Sequence, residues 1–144
     1  MRTGVLLINV GTPDSPKVSD VRRYLTEFLN DPYVIDLPFL ARKVLVNLII
    51  IPLRVRDSAK LYSELWTEEG SPLLVNSRKL SLGVQAVLGE EYLVVVAMRY
   101  QKPSISDAIA EFQGKVDRLI VVPMYPQYAE STTRTSIERT ESIL

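Results

Sequence analysis

Three short, almost continuous runs of apolar residues decide what this chain can fold into. They cover residues 4–10, 92–98 and 119–122, and turn-forming or charged residues close each of them. A strand that is apolar at nearly every position is typical of a parallel sheet with both faces covered. Amphipathic helical segments alternate with these runs, so the sequence predicts an α/β fold around a central parallel sheet.

Helix-start and helix-stop residues lie between the predicted strands. Ser15 and Pro16 precede apolar residues that recur at helical spacing up to Leu29. This pattern predicts a helix that Ser15 caps and that has Pro16 at its first position. Residues 71–72 (Ser-Pro) predict a second helix start of the same kind, and Gly89 predicts the end of that helix.

The segment between these two helices is less regular. We expect one helix over residues 39–50, because Pro52 should break a helix at this point. A second helix is predicted over residues 57–66. Its expected apolar face consists of Leu61, Leu65 and Trp66.

The last third of the chain predicts two further helices. Ser104 and Asp107 have the spacing of a capping box, and the final helix should begin near Ser131 or Thr135. The sequence stops at Leu144 inside that last helix, with no capping residue and no following strand. We therefore expect residues 1–144 to be a single domain that is truncated in its last helix.

The composition excludes several classes of site. There are 17 basic and 17 acidic residues, so the chain lacks the positive charge that binding to nucleic acid requires. Cysteine is absent, which excludes disulfides, zinc–thiolate sites and iron–sulfur ligation. Histidine is absent as well, so no Ser/His/Asp or Cys/His arrangement can form. The composition fits a cytoplasmic protein.

The longest apolar stretch, residues 44–53, is too short to span a bilayer, which takes about 20 residues. Its ordinary interpretation is a segment of core. The alternative is an exposed apolar lip at the mouth of a pocket or at a membrane surface.

Three loops are predicted at the carboxyl ends of the strands, where α/β sheets bind ligands. They contain residues 10–13, residues 99–101, and residues 125–128 followed by Ser131 and Thr132. Together they predict a pocket with aromatic walls, one arginine and several hydroxyl groups. Such a pocket suits a large, flat, apolar ligand that carries carboxylates.

Simpler interpretations of these loops remain open. Residues 11–13 (Gly-Thr-Pro) can form only a tight turn, and they lack the spacing of a phosphate-binding loop. Arg99 can extend its aliphatic stem over apolar surface and place its charge in water.

Four motifs resemble the ferrochelatase family in order and in spacing. They are Leu-Leu-Ile-Asn-Val-Gly-Thr-Pro at residues 6–13, Tyr62 and Trp66 with Gly-Ser-Pro-Leu at residues 70–73, Met-Arg-Tyr at residues 98–100, and Tyr-Pro-Gln-Tyr at residues 125–128 followed by Ser-Thr-Thr at residues 131–133. The family inserts ferrous iron into a porphyrin in heme synthesis. The resemblance implies two similar Rossmann-like, three-layer halves with the porphyrin between them, and this chain resembles the first half.

The resemblance also implies which residues contact substrate. Val10 matches a pocket position near the porphyrin face, and Ser71 matches a position that contacts the macrocycle or its substituents. Arg99 and Tyr100 match a pair at the inner wall of the pocket. Four residues match the loop that borders the cleft: Tyr125, Gln127, Ser131 and Thr132. Arg54 and Arg56 match the cations of a lip over residues 29–56.

The family's metal-site histidine and its partner glutamate belong to the second half. We therefore expect no catalytic residue, no metal ligand and no bound cofactor in this chain, and no activity from it alone. The expected partners are ferrous iron as a substrate, a porphyrin such as protoporphyrin IX or coproporphyrin III, the C-terminal domain, and a membrane touched peripherally by residues 39–56. Two alternatives remain: a chelatase for another metal or tetrapyrrole, and a non-catalytic module that binds tetrapyrroles or membranes.

Overall fold

The computed structural model describes residues 1–144 and has a three-stranded parallel sheet at its centre. The strands are β1 (Thr3–Gly11), β2 (Tyr92–Tyr100) and β3 (Arg118–Pro123), in the order β2-β1-β3. Leu6 of β1 lies opposite Val95 of β2 and Val121 of β3. The predicted α/β fold with a parallel sheet is confirmed.

Six α-helices and two π-helical segments surround this sheet. Their bounds are α1 Val18–Leu29, α2 Phe39–Val44, a first π-helical segment Leu45–Ile50, α3 Ile51–Leu65, α4 Pro72–Leu88, α5 Ile105–Phe112, a second π-helical segment Glu130–Arg134, and α6 Thr135–Glu141.

The helices form layers on both sides of the sheet. On one side, Leu6 and Ile8 of β1 pack with Ala97 of β2 against Ile109 and Phe112 of α5. On the other side, α4 packs mainly against β2 and also contacts β1. The Gln85 side chain of α4 accepts a hydrogen bond from the Val94 amide, at 2.9 Å, and so ties α4 to β2. These layers confirm the three-layer architecture.

The sheet is covered less completely than we predicted. Leu119 and Val121 of β3 pack against the α5 side, but Ile120 and Val122 on the opposite face are exposed. The expectation of two covered faces therefore holds for β1 and β2 and is wrong for β3. The reason is that α4 lies over β2 and β1 and leaves β3 uncovered.

Pro52 does not break the helix, which is a second correction. The backbone continues from α2 through the first π-helical segment into α3, with Pro52 in the first turn of α3. A proline in an ordinary α-helix clashes with the carbonyl four residues earlier. The wider π-helical turn that precedes Pro52 shifts this carbonyl, because its hydrogen bonds run to the fifth residue. The Ile51 amide accordingly donates to the Val46 carbonyl.

The apolar face of α3 also differs from the predicted one. Leu61 and Leu65 are exposed, and Trp66 lies just past the helix end. Spacing alone does not decide which side of this helix is buried. The side that α1 covers carries Val55, Ala59 and the half-buried Tyr62, which pack around Val21 of α1.

The predicted starts of α4, α5 and α6 are confirmed, the last at Thr135, and the predicted start of α1 is wrong. Pro72 is the first residue of α4, and Ser104 and Asp107 form the capping box of α5. Helix α1, however, begins at Val18 rather than at Pro16. The Ser15 hydroxyl donates to the Asp20 carboxylate, at 2.6 Å, instead of capping the helix at Pro16.

Gly11, at the end of β1, permits a close contact between β1 and β2. Its φ of +119° favours glycine, and an added Cβ would lie 2.1 Å from the Tyr100 carbonyl oxygen. We expect Gly11→Ala to lower the free energy of unfolding by about 3 kcal/mol or more, because backbone strain and overlap add. Urea-induced unfolding followed by circular dichroism measures this loss.

Gly83 in α4 is the matched control. An added Cβ at Gly83 meets no atom within 4 Å, and its backbone is helical. Gly83→Ala should raise the free energy of unfolding by up to about 1 kcal/mol, because alanine favours the helix. Equal effects of the two substitutions would contradict a specific role of Gly11.

Candidate functional site

The carboxyl ends of the three strands meet at one edge of the sheet. Gly11 of β1 pairs with Tyr100 of β2, and Ile8 of β1 pairs with Pro123 of β3. The segments that leave these strands therefore start side by side. Helix α1 also reaches this edge, where the Phe28 ring contacts the Tyr100 ring edge-on at 5.2 Å between centroids.

A small aromatic cavity of about 270 Å³ opens beside the end of β1. Val10 lies on its wall together with Tyr24 of α1, Tyr62 of α3, Trp66 and Ser71. The Tyr24 and Tyr62 rings meet edge-on, with 6.1 Å between their centroids. This arrangement offers apolar ring surface together with phenol hydroxyl groups.

The two tyrosines of this aromatic cavity are neutral donors. Burial raises the pKa of Tyr24 well above its ordinary value, and the neighbouring Tyr62 raises it further. Burial also raises the pKa of Tyr62. Neither phenol therefore serves as a base near neutral pH, because each remains protonated there.

Ser71 is fixed in this cavity by the loop after β1. The Thr12 hydroxyl donates to the Ser71 hydroxyl oxygen at 2.8 Å, and both side chains are buried. Ser71 stands at the position before α4, but its hydroxyl makes no capping bond to that helix. The Ser71 hydroxyl therefore joins the start of α4 to the end of β1.

Arg99 and Tyr100 at the end of β2 take part in a buried polar network. The Asp31 carboxylate accepts hydrogen bonds from Arg99 Nη2 at 2.8 Å and from the Tyr100 hydroxyl at 2.7 Å. The Thr135 hydroxyl of α6 donates to the same carboxylate oxygen at 2.5 Å, and Arg99 Nε donates to Thr135 Oγ1 at 2.8 Å. The network thus connects β2, α6 and the turn after α1.

The Arg99 guanidinium does not extend into solvent. Only 16% of its side chain is exposed, and the guanidinium lies 4.5 Å from the centroid of the Tyr100 ring. The interpretation that Arg99 places its charge in water over apolar surface is therefore wrong. Burial raises the pKa of Tyr100, and the hydrogen bond to the Asp31 carboxylate raises it further, so Tyr100 is also a neutral donor.

Arg99 and Tyr100 line a second, polar cavity of about 660 Å³, which does not include Val10 or Ser71. The polar side of α1 forms another wall of this cavity, with Arg22, Arg23 and Glu27. The structure thus divides the predicted site residues of β1 and β2 between two separate cavities, which share no lining residue.

Sequence comparison assigns the chain to a family. The model of the ferrochelatase family matches residues 2–144. The chain belongs to the ferrochelatase family. It is 51% identical over 138 residues to a ferrochelatase of Coxiella burnetii (strain RSA 493 / Nine Mile phase I). The aligned residues make up 95% of this chain and 39% of that protein. It is 45% identical over 144 residues to a ferrochelatase of Legionella pneumophila (strain Corby). The aligned residues make up 100% of this chain and 43% of that protein.

The chain therefore spans about two fifths of the length of the ferrochelatases that it matches. This share agrees with the resemblance to the first half of the family. None of the helices in the structure combines the length and the hydropathy that crossing a membrane requires.

The loop after β3 lies next to the polar network. Tyr125 is half-buried, and burial raises its pKa, whereas the Ser136 hydroxyl and the Arg99 charge act in the opposite direction. Ser131 and Thr132 are half-buried in the second π-helical segment, where the Thr132 hydroxyl bonds to the Ala129 carbonyl at 3.2 Å.

Six of the ten predicted site residues line neither cavity: the loop residues Tyr125, Ser131 and Thr132 just described, and three exposed side chains. Gln127 is exposed in the loop after β3, and Arg54 and Arg56 are exposed on α3. In a ferrochelatase chain, these side chains can reach only a ligand that extends beyond the cavities described above.

Sequence reasoning missed three residues that shape the site. Tyr24 was hidden among apolar positions, and Tyr62 was named in a motif but not assigned to the site, although it follows Val55 and Ala59 at helical spacing. Asp31 resembled a residue of a helix-ending turn, because it precedes Pro32. Only the three-dimensional structure places Asp31 next to Arg99, 68 positions further along the chain.

We expect Arg99→Ala to lower the free energy of unfolding by about 3 kcal/mol, because it leaves the buried Asp31 carboxylate without its cation. Urea-induced unfolding measures the loss. Lys79→Ala removes a 3.0 Å ion pair with Glu69 that is more than half exposed, and it should change stability by less than about 1 kcal/mol. Similar losses in the two variants would show that the Asp31–Arg99 pair behaves as an ordinary surface pair.

Proposed function

We propose that this chain is the N-terminal, porphyrin-binding part of a ferrochelatase that inserts ferrous iron into a porphyrin. The observation that carries the proposal is the aromatic cavity beside β1, formed by Val10, Tyr24, Tyr62, Trp66 and Ser71 in a chain of the ferrochelatase family. Aromatic and aliphatic side chains with a few hydroxyl groups suit the face of a flat macrocycle.

The size of this cavity supports a shared site. Its volume of about 270 Å³ lies just below the range of roughly 300–1,000 Å³ for small-molecule sites. The cavity therefore accommodates only part of a porphyrin ring. We propose that the rest of the ring contacts the C-terminal half of a full-length ferrochelatase and the lip over residues 29–56.

The porphyrin carboxylates need cations at the rim of the site. Arg54 and Arg56 are exposed on α3 and carry no salt bridge within the chain, so both are free to pair with carboxylates. Arg22, Arg23 and Lys43 also line the polar cavity, together with Arg99. This charge pattern is compatible with protoporphyrin IX and with coproporphyrin III, which carry different numbers of propionates.

Metal insertion requires two chemical roles. A base must remove the two pyrrole protons, and a donor must deliver the ferrous ion. The chain contains no histidine or cysteine, and the structure brings no three acidic residues together as a metal site. The buried Asp31 carboxylate is engaged by Arg99, Tyr100 and Thr135. We propose that other parts of the protein supply both roles.

An anaerobic assay with a metal-free porphyrin and ferrous or zinc ion tests this division of roles. Residues 1–144 should bind porphyrin, seen as quenching of porphyrin fluorescence, without forming metalloporphyrin. A protein of full family length should bind and also metallate. Turnover by residues 1–144 alone would overturn the proposed division. Preference for cobalt over iron in the longer protein would favour a different chelatase.

Peripheral membrane contact is a second proposed function, and it is based on the lip. Residues 39–56 form one continuous helical segment with an exposed apolar side that includes Phe39, Leu40, Leu48 and Leu53. Arg54 and Arg56 flank this apolar side. An exposed apolar stripe beside cations suits the surface of an anionic bilayer, and we propose a cytoplasmic protein that touches the membrane there.

The double substitution Leu48→Glu and Leu53→Glu tests the membrane contact. Both side chains are more than 70% exposed, so the fold should persist, whereas two carboxylates should oppose insertion into the bilayer. We expect at least a tenfold loss of sedimentation with vesicles of phosphatidylcholine and phosphatidylserine. Leu82→Glu on α4 is the matched control, because Leu82 is 71% exposed and lies outside the lip. Equal loss in both variants would contradict a specific contact.

A further inference from the structure

Asp31 is a buried charge at the edge of the candidate site, and its carboxylate is fully engaged. Only 3% of its side chain is exposed. Its Oδ2 atom accepts three hydrogen bonds, from Arg99, Tyr100 and Thr135, at 2.5–2.8 Å. Its Oδ1 atom accepts the Tyr33 amide at 2.8 Å.

The same network fixes the orientation of the Arg99 guanidinium. Nη2 donates to Asp31, and Nε donates to Thr135 at both its hydroxyl and its carbonyl oxygen. The guanidinium also lies over the Tyr100 ring. Nη1 is the remaining nitrogen, and the Arg99 side chain lines the polar cavity. Arg99 is therefore a donor of fixed orientation, and Nη1 is its one guanidinium nitrogen without a partner in the chain.

A purely stabilising role explains this arrangement poorly. A buried ion pair adds little net stability compared with apolar side chains of similar volume, because both charges lose their hydration. The segments that this network joins could be held by apolar contacts, as α1 and α3 are around Val21 and Val55. A polar network at the ligand-binding edge of a sheet instead provides a fixed donor orientation.

We propose that Asp31 is a positioning residue that aims Arg99, and with it Nη1, at the porphyrin substrate. This proposal rests on the proposed function. Asp31 itself does not touch the substrate, and it acts through Arg99. The proposal places the effect on Arg99 rather than on Tyr100, whose hydroxyl bonds to the same carboxylate. Removing Asp31 should therefore have no further consequence once the Arg99 guanidinium is gone.

A double-mutant cycle in the full-length enzyme tests this dependence. Asp31→Asn should lower kcat/KM for metallation about 10- to 100-fold, as for other residues that orient a ligand-binding group. Arg99→Gln keeps an amide that can donate to Asp31 but removes Nη1. Adding Asp31→Asn to Arg99→Gln should change kcat/KM by less than about twofold. Glu138→Gln, which removes an exposed partner of Arg134, should leave kcat/KM unchanged in both backgrounds.

Thr135→Val keeps the proposal testable if Asp31→Asn does not fold. It removes the hydroxyl that links Asp31 to Arg99 Nε, and it should cause a smaller loss of kcat/KM that also disappears in the Arg99→Gln background. If the losses of kcat/KM from Asp31→Asn and Arg99→Gln multiply in the double variant of an active enzyme, the role of Asp31 is overturned and the proposed function stays intact. A wild-type enzyme that does not metallate porphyrin would contradict the proposed function and the role of Asp31 together.

Discussion

The rest of the structure depends on the position of β1 between two parallel strands. Parallel pairing with β2 on one side and β3 on the other places three carboxyl ends at the same edge. Residues from distant parts of the sequence thereby become neighbours, as the pairing of Gly11 with Tyr100 illustrates. The buried side chains of β1, such as Leu6 and Ile8, are apolar, so the central strand can be buried without leaving a polar side chain unpaired. They pack under α5.

Two different kinds of surface occupy that edge, one aromatic and one polar. The cavity beside Val10 offers tyrosine and tryptophan side chains to an apolar ring. The polar cavity beside Arg99 offers cations and hydrogen-bond donors, and its arginine is held by Asp31 and Thr135. A porphyrin combines an apolar macrocycle with charged carboxylates, and we propose that these two surfaces contact these two parts of it.

The sequence predicted most of the elements because their signals are local. Apolar runs predicted the strands, and Pro72, Gly89 and the Ser104–Asp107 pair predicted helix ends through their own backbone preferences. Pro52 was misleading, because a π-helical turn accommodates it and such a turn leaves no mark in the sequence. Asp31 escaped notice for a different reason: its partners Arg99 and Thr135 are distant in sequence, and only folding brings them together.

The most direct test of this account is a crystal structure of the longer protein with a metal-free porphyrin bound. We expect the macrocycle to lie within about 4 Å of Val10 and Tyr62, with a carboxylate or pyrrole edge facing Arg99. The metal-free ring should find its base and its metal donor outside residues 1–144. A porphyrin bound away from the carboxyl edge of the sheet, for example against the outer face of α4, would contradict the account.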